Sequence, residues 1–421
     1  MRSVIEVGQN GKKKREKYMK MTEEIDSRIE VIQMLIPIGL QAVNDVLQWE
    51  VKQLVGERYE RKGREEGLVR WGKQASSVYL ADQKVSVVTP RVRDRMAGEE
   101  IPLTSLQGLR VPRGLDEGLL RKVLGGLSCR SYEACAEAVP GAFALSASTV
   151  SRRYIRASAR KLQAFMERKL DTYEFVALFL DGKTFGDDEM VIAVGVSTAG
   201  EKVILGFVQT ATENEAVCKH FLEGLVTRGL KYEEGLLVVI DGAKGLRKAV
   251  DTVLGEKAVV QRCQWHKREN VLKYLTPTQQ EQVKPKLQAA YEQSTYEAAK
   301  AALLAVRSEL KVINLSALRS LDEGLEETLT LHRFGLFTTL GRSFKTTNLI
   351  ESINALLGQK TDKVDHWKNS NQKERWVATA LLDIEPRLRK IRGYQHLLKL
   401  KTALKEVTMQ KNQGSRSCNF N

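Results

Sequence analysis

The sequence has no long apolar run, and no stretch approaches the roughly 20 consecutive apolar residues that a membrane-spanning helix needs. Its N-terminus also lacks the apolar segment that a secretory signal contains. We therefore expect a cytoplasmic protein without a membrane partner.

Cysteine is scarce, with five residues in 421. They lie far apart, at Cys129, Cys135, Cys218, Cys263 and Cys418. An odd and scattered set differs from the framework of a disulfide-rich secreted domain, so we expect reduced thiols. Cys263 and His266 have metal-like spacing, but no second Cys/His pair accompanies them, which argues against a closed structural zinc site.

Acidic residues are outnumbered, since 52 Asp and Glu face 67 Lys and Arg, for a net charge of +15. A pI near 9.5 favours binding to nucleic acid or to an anionic surface. The alternative is a soluble basic protein with no such partner. The 42% of hydrophobic residues can form a core, and the length suggests about two to four domains.

The first 60 residues predict a basic arm and a helical region for dimerisation or DNA binding. Residues 12–20 carry six positive charges and one negative, as a solvated arm or a phosphate-contacting arm would. Within residues 25–59, apolar positions recur every three or four residues. This spacing predicts one long amphipathic helix or a helical pair, whose stripe packs in a core or against a partner chain.

Residues 61–112 predict a small region that contains a β-hairpin, with strands at 78–80 and 85–88. Three arginines follow the hairpin, at Arg91, Arg93 and Arg95. They could contact DNA phosphates or form an ordinary solvated edge.

Residues 113–170 predict a helix-turn-helix domain. One helix would span 131–138, and after a break at Pro140 and Gly141 residues 145–154 would form the turn and the second helix. Val150 would face inward on this second helix. The residues predicted to face DNA or to cap the helix beside it are Ser148, Thr149, Arg152, Arg153 and Arg156. Short helical pairs of no special function are the alternative.

From residue 171 the pattern changes to strands, predicted at 175–185, 190–197 and 202–209. A crossover helix at 213–228 and a fourth strand, 236–240, follow. This is the opening order of an RNase H-like fold, an α/β core with a mixed sheet flanked by helices. Asp181 would lie on the first strand and Asp241 at the end of the fourth, on neighbouring strands.

Two strand-ending carboxylates suit a pair of divalent ions, because Mg²⁺ prefers hard oxygen ligands and two-metal phosphoryl transfer needs bridging acids. A single strand-ending Asp is often only a turn former, whereas two at matched positions favour the metal site. A third carboxylate is required, and the candidates are Glu323, Glu326, Glu327 and Glu351.

The catalytic region is predicted to be interrupted, with a first part at 171–275, an all-helical insertion at 276–343 and a last part with a basic tail at 344–421. Glu323, Glu326 and Glu327 belong to a predicted helix at 315–331, where their spacing is typical of a solvated face. Glu351 differs, since Thr346 or Thr347 would cap its helix and an apolar stripe would pack that helix against the sheet.

Four segments together resemble the mutator-type insertion-sequence transposases of bacteria, a branch of the DDE transposases. They are Phe179–Gly182, Arg228–Leu230 with Val239–Leu246, Gln261–Val271 and Thr346–Asn354. The resemblance covers roughly residues 55–400. It selects Glu351 as the third catalytic acid beside Asp181 and Asp241, and it places the family's Cys-x-x-His signature on Cys263 and His266.

The resemblance implies cleavage of double-stranded DNA at terminal inverted repeats, followed by transfer of the freed 3′-hydroxyl to target DNA. It also implies Mg²⁺ or Mn²⁺, with two ions per active site, no covalent protein–DNA intermediate, and a homodimer. Two departures from the family pattern concern local substrate contacts: Ser352 replaces a basic residue after the final Glu, and Lys183 begins an unusual continuation of the first motif.

The roles of the remaining motif residues have alternatives. Cys263 and His266 would bond each other and fix a helix against the sheet near the active site, or position DNA. The residues predicted to contact DNA in and beyond the catalytic motifs are Lys267, Arg268, Lys360, Lys363, Trp367, Lys368 and Arg375. Trp367 could instead be a core residue. The basic segment 387–416 would bind the DNA backbone.

The leading hypothesis is a DDE transposase. Its alternatives are a transposase-derived DNA-binding regulator that has lost catalysis, and a structure-selective endonuclease on the same RNase H-like fold.

Overall fold

A computed structural model of the chain describes residues 39–59, 67–80, 83–110, 115–128, 142–143, 147–185, 188–210, 214–364 and 366–417. The chain divides into two compact units, Met1–Ala157 and Ser158–Asn421. The predicted basic arm (12–20), the first part of the predicted long helix (25–38) and the first helix of the predicted helix-turn-helix (131–138) lie outside the described residues.

The first unit contains an antiparallel sheet and short helices. In chain order its elements are α1 (39–55), β1 (Leu68–Leu80), β2 (Gln83–Asp94), β3 (Glu100–Ile101), α2 (Thr104–Arg110), α3 (Leu115–Leu124) and β4 (Ala142–Phe143). β1 and β2 form a hairpin longer than the predicted one, and β3 and β4 each pair with β2. Arg91 and Arg93 therefore lie within a strand and do not follow the hairpin.

Helix α1 packs in the core of the first unit. Val43, Leu47 and Val51 are spaced four residues apart, so they share one face, and that face is buried with Val78 and Val92 of the hairpin. The apolar stripe predicted for this segment therefore packs within the chain over the described part of the helix.

Helix α4 (Ala147–Glu167) continues well beyond the predicted second helix of the helix-turn-helix, and the division between the two units falls within it. Val150 is fully buried, as its position in the pattern predicts.

The second unit is built on a five-stranded mixed sheet with the strand order β7-β6-β5-β8-β9. The strands and the helices between them are β5 (Phe175–Phe185), β6 (Asp188–Ser197), β7 (Lys202–Thr210), α5 (Glu215–Thr227), β8 (Leu236–Ile240), α6 (Lys244–Leu254) and β9 (Ala258–Arg262). β5 pairs antiparallel with β6 and parallel with β8. The strands that carry Asp181 and precede Asp241 are thus neighbours, as predicted.

Continuous apolar runs explain the central strands. Every residue of β8 is buried, and so are residues 175–181 of β5, as expected of strands covered on both faces. Helices α5 and α6 cover one face, where Leu222, Leu225 and Val250 join the sheet residues in a single core.

Between β9 and Glu351 the regular structure is helical. The elements are α7 (Gln264–Leu272), α8 (Pro277–Tyr291), α9 (Tyr296–Ile313), α10 (Leu315–Asp322), α11 (Leu325–Thr328), α12 (Thr330–Arg333) and α13 (Phe337–Phe344). Residues from Val271 to Leu329 form a separate apolar cluster. The predicted helix at 315–331 is wrong as one element, because Gly324 adopts φ +73 and ends it.

Three long helices complete the second unit: α14 (Asn348–Thr361), α15 (Ser370–Ile384) and α16 (Leu397–Ser417). Helix α14 packs on β5, and Lys183 Nζ donates to Asn354 O at 2.6 Å between them. Among the helices that the structure describes, none has the length and apolar composition to cross a membrane.

Candidate active site

The three predicted acids line one cleft of about 580 Å³ in the second unit. Asp181 comes from β5, Asp241 follows β8 and Glu351 lies in the first turn of α14. Trp265 and His266, from the start of α7, line the same cleft.

Strand register places the two aspartates side by side. In the parallel pairing of β5 with β8, Phe179 is the partner of Val239. Asp181 lies two residues after Phe179, and Asp241 lies two residues after Val239. Both aspartates therefore occupy the same end of neighbouring strands. Asp241 Oδ1 accepts a hydrogen bond from the backbone N–H of Ala243 at 2.9 Å, which closes the turn after β8.

Asp181 is buried, with 6% of its surface exposed. Asn354 Nδ2 donates to Asp181 Oδ2 at 3.2 Å. Burial, and then repulsion from Asp241 and Glu351, raise the pKa of Asp181 to about 7, although the charge of His266 opposes this. Ionising the Asp181 carboxyl in the folded protein is therefore less favourable than in water.

Glu351 is held by the residue at the start of its own helix. Thr347 occupies the N-cap position of α14, yet its side chain makes no capping bond to the helix backbone. Its hydroxyl donates to Glu351 Oε1 at 2.7 Å instead. Thr347 is fully buried, so the donor of this bond is shielded from bulk water, while half-buried Glu351 faces the cleft.

Cys263 and His266 join the same network through Thr347. Cys263 is the N-cap residue of α7, and its sulfur accepts from the backbone N–H of His266 at 3.5 Å and of Thr347 at 3.4 Å. His266 Nδ1 lies 3.2 Å from Thr347 Oγ1. Because the one hydroxyl proton points to Glu351, His266 Nδ1–H is the donor in this contact.

The charges of this network follow from its contacts. Burial lowers the pKa of His266, but the hydrogen bond to Cys263 and the charges of Cys263, Asp241 and Asp181 raise it to about 9. Burial raises the pKa of the Cys263 thiol, but hydrogen bonds from His266 and Thr347 bring it below its ordinary value. Through Thr347 the pair ties α7 to α14.

The donor chemistry of the cleft fits a hard divalent cation. Three carboxylates line the cleft, and a cation beside buried Asp181 would stabilise the ionised form that burial disfavours. Within the described ranges, no three His, Cys, Asp or Glu side chains are already gathered closely enough to hold a metal ion. Each acid instead bonds to a protein donor, namely Asn354, Ala243 or Thr347.

The sequence predicted only a possible helix-capping role for Thr347, and it did not identify Asn354 as a partner of Asp181. The spacing of Asn354, three residues after Glu351, is the signal that puts both on one helix face. Trp265 and Glu189 also line the cleft without having been predicted.

Lys267, which the sequence predicts to contact DNA, is buried in the folded chain. Only 1% of Lys267 is exposed, because it shares the inward face of α7 with Gln264 and Val271. Arg268 is half-buried and pairs with Glu269 at 3.1 Å.

The predicted DNA contacts in β2 and directly after it differ in how far their side chains already bond within the protein. Arg91 forms a two-point ion pair with Glu100, at 2.9 and 2.7 Å. The Arg93 guanidinium lies 4.8 Å from the centre of the Trp71 ring. Arg95 is exposed. Of these three, Arg95 is the most accessible to a phosphate.

Helix α4 presents part of its predicted DNA-facing set. Its exposed members are Ser148, Arg152 and Arg156. Thr149 is half-buried, and Arg153 Nη2 donates to Tyr79 Oη at 3.2 Å while stacking on its ring. Arg153 is thus engaged within the first unit.

The residues near the C-terminus that are predicted to contact DNA are also of two kinds, exposed or engaged within the fold. The exposed members are Lys363 and Lys368. Lys360 pairs with Asp383 at 2.7 Å, and half-buried Arg375 bonds to Asn371. Trp367 is half-buried, with its ring centroid 4.8 Å from that of Phe185, so it packs within the fold.

A family model described as "Transposase, Mutator family" matches residues 12–389 of the chain. The chain is 27% identical to the transposase for insertion sequence element IS905 of Lactococcus lactis, covering 81% of this chain and 86% of that protein. It is 24% identical to the transposase for IS1201 of Lactobacillus helveticus, covering 76% and 86% respectively. It is 25% identical to the transposase for IS406 of Burkholderia multivorans, covering 82% and 88%.

Proposed function

We propose, from the premise that this chain belongs to the Mutator family of transposases, that it cuts DNA at terminal inverted repeats and joins the freed ends to target DNA. The observation that carries the proposal is the convergence of Asp181, Asp241 and Glu351 in one cleft. The strand order β7-β6-β5-β8-β9, with α14 packed on β5, supports an RNase H-like catalytic core.

The proposed reaction has two balanced phosphoryl transfers. In cleavage, a water oxygen bonds to the scissile phosphorus and the bond from phosphorus to the 3′-oxygen breaks, which leaves a 3′-hydroxyl and a 5′-phosphate. In transfer, that 3′-hydroxyl bonds to a target phosphorus and displaces the 3′-oxygen of the neighbouring target nucleotide. In each step the proton lost by the attacking oxygen is balanced by the one gained by the leaving oxygen.

Asp181, Asp241 and Glu351 would hold Mg²⁺ or Mn²⁺. Two such ions would activate the attacking oxygen and stabilise the leaving oxygen. Thr347 orients Glu351 and Asn354 orients Asp181, so these two residues keep the carboxylates aimed into the cleft.

DNA binding is proposed to rest on the net charge of +15 and on exposed cations in both units. The accessible candidates are Arg95, Arg152, Arg156, Lys363 and Lys368. A homodimer that acts on double-stranded DNA, in the cytoplasm and at the nucleoid, completes the proposal, as the family resemblance implies.

The test uses the purified full chain with a duplex that carries the inverted repeats of its element, in Mg²⁺ and then in Mn²⁺. Wild-type protein should cut and join strands, whereas Asp181→Asn, Asp241→Asn and Glu351→Gln should bind the duplex and do neither. Glu323→Gln is the matched control, since Glu323 is an exposed acid of the helical segment and does not line the cleft.

Each other outcome points elsewhere. Tight binding of the repeats by wild-type protein without any metal-dependent cut would identify a regulator that has lost catalysis. Cutting that never leads to joining would identify an endonuclease. Strand transfer by any of the three cleft variants would show that the acid replaced in that variant is not catalytic.

A further inference from the structure

Trp265 is an exposed aromatic side chain in the wall of the carboxylate cleft. It is the second residue of α7, and 45% of its surface is exposed. It lines the cleft together with Asp181, Asp241 and Glu351. An indole that stays in water forgoes the free energy that its burial would release, so a binding partner could gain that free energy.

The fold holds this ring in place. Gln264 and Lys267 are 4% and 1% exposed, so they fix which side of α7 faces the core and leave Trp265 on the cleft side. The Trp265 ring meets the His266 ring edge-on, with centroids 4.7 Å apart and planes at 75°. His266 is in turn bonded to Thr347, so the network that holds Glu351 also supports the indole.

The neighbours of Trp265 decide what can cover it. An apolar protein segment seated on the ring would also cover the adjacent carboxylates and strip them of water, which is costly for charged groups. A nucleotide fits better, because its base has a flat face for the indole and its phosphate belongs beside cation-binding acids. The cleft volume of about 580 Å³ is in the usual size range for a small-molecule ligand.

We propose that Trp265 is a positioning residue that stacks on one base next to the scissile phosphate and so fixes that phosphate against the three acids. This rests on the proposed function. Stacking does not depend on base identity, so Trp265 would set where the strand is cut and not which sequence is bound. The base that stacks on Trp265 must first unstack from its neighbours in the DNA. DNA with an unpaired base at that position should therefore be cut faster.

The test combines protein variants with DNA that lacks one base. A duplex of the element's inverted repeat is prepared with a single abasic nucleotide placed in turn at each position flanking the cut. For wild-type protein, one abasic position should lower the single-turnover cutting rate roughly 5- to 150-fold. Trp265→Ala should lower the rate on intact DNA by a similar factor and should lose nothing further at that abasic position.

Matched variants separate stacking from structure. Trp265→Phe keeps an aromatic face and should cut within a few-fold of wild type, whereas Trp265→Leu should resemble Trp265→Ala. Tyr274→Ala removes another exposed aromatic, which is 53% exposed, lies two residues after the end of α7 and does not line the cleft, and this variant should cut normally. All four variants should keep the thermal unfolding temperature of wild type.

Equal sensitivity of wild type and Trp265→Ala to every abasic position would overturn the inference, and so would full activity of Trp265→Ala. In both cases wild-type cutting would leave the proposed function intact. Absence of cutting by wild-type protein would refute the proposed function and this inference with it.

Discussion

Asn354 Nδ2 donates to Asp181 Oδ2 at 3.2 Å, a contact between a helix and a strand that lie 173 positions apart in the sequence. Asn354 is 8% exposed, so the bond forms away from bulk water. It links the helix that carries Glu351 to the strand that carries Asp181. The relative position of the two acids therefore depends on this hydrogen bond as well as on packing.

Asn354→Ala should therefore lower metal-dependent cutting by about 10- to 100-fold, the usual cost of removing a group that orients a metal ligand. The loss should be seen in kcat and in the Mg²⁺ concentration needed for half-maximal rate, with DNA affinity unchanged. Asn348→Ala is the control on the same helix, since Asn348 is exposed. Equal Mg²⁺ requirements in wild type and Asn354→Ala would contradict the orienting role.

The ionisation of Asp181 should make the metal-free protein less stable as pH rises. Its pKa in the folded state, about 7, exceeds its ordinary value of 3.8, because burial and repulsion from Asp241 disfavour the charged form. Between about pH 4 and pH 7 the unfolded chain binds fewer protons than the folded chain. The free energy of unfolding therefore falls from about pH 4 to pH 7 and stays at the lower level above pH 7.

Asp181→Asn removes this cost and should stabilise metal-free protein at pH 8 by an amount on the order of 2–4 kcal/mol, with little gain at pH 4. The measurement is urea unfolding in EDTA at both pH values. Mg²⁺ should stabilise wild type at pH 8 and leave Asp181→Asn nearly unaffected. Glu323→Gln serves as the surface control, and a gain in Asp181→Asn independent of pH would show a different cause.

The sequence was sufficient for the sheet and for the position of the aspartates on it. Leu236–Ile240 is an apolar run between Gly235 and Asp241, so its type and limits follow from local chemistry. The sequence was insufficient where tertiary contacts decide. The inward face of α7 is set by packing that no local pattern shows, which is why Lys267 looked like a DNA contact.

Thr347 illustrates the same limit within the site. A threonine before a helix predicts a capping bond, and its position at the N-cap follows that rule. Its hydroxyl bonds instead to Glu351 and lies against His266, whose segment is distant in sequence. Local helix propensity explains why Thr347 occupies the N-cap. Tertiary packing determines which groups its hydroxyl contacts.

Thr347→Val keeps the size of the side chain and removes the hydroxyl that connects His266 to Glu351. We expect cutting to fall about 10- to 100-fold, because Glu351 loses the donor at 2.7 Å. Thr347→Ser restores a hydroxyl and should recover most of the activity. Thr346→Val, at the neighbouring position, is the control, and similar losses in Thr347→Val and Thr347→Ser would point to packing and not to the hydroxyl.

Lys267 allows a test of whether a buried lysine affects the stability of the fold or the binding of DNA. Its Nζ is buried and has no hydrogen-bond partner. Burial, and then repulsion from Arg262, lower its pKa to about 8, and the charges of Glu323 and Glu327 offset this only in part. Because the pKa of Lys267 in the folded state lies below its ordinary value of 10.5, the unfolded chain binds more protons between these two pH values, and stability rises with pH over that interval.

Lys267→Met replaces the ammonium with an apolar group of similar length, so it should stabilise the protein at pH 7 by an amount on the order of 1–3 kcal/mol. The gain should shrink as pH rises from 8 to 10. DNA affinity and its dependence on salt should not change, because Lys267 is 1% exposed. Lys368→Met, at an exposed position, should weaken binding and reduce the slope of log affinity against log salt. If Lys267→Met reduced that slope as Lys368→Met does, Lys267 would reach DNA after all and α7 would have to rearrange on binding.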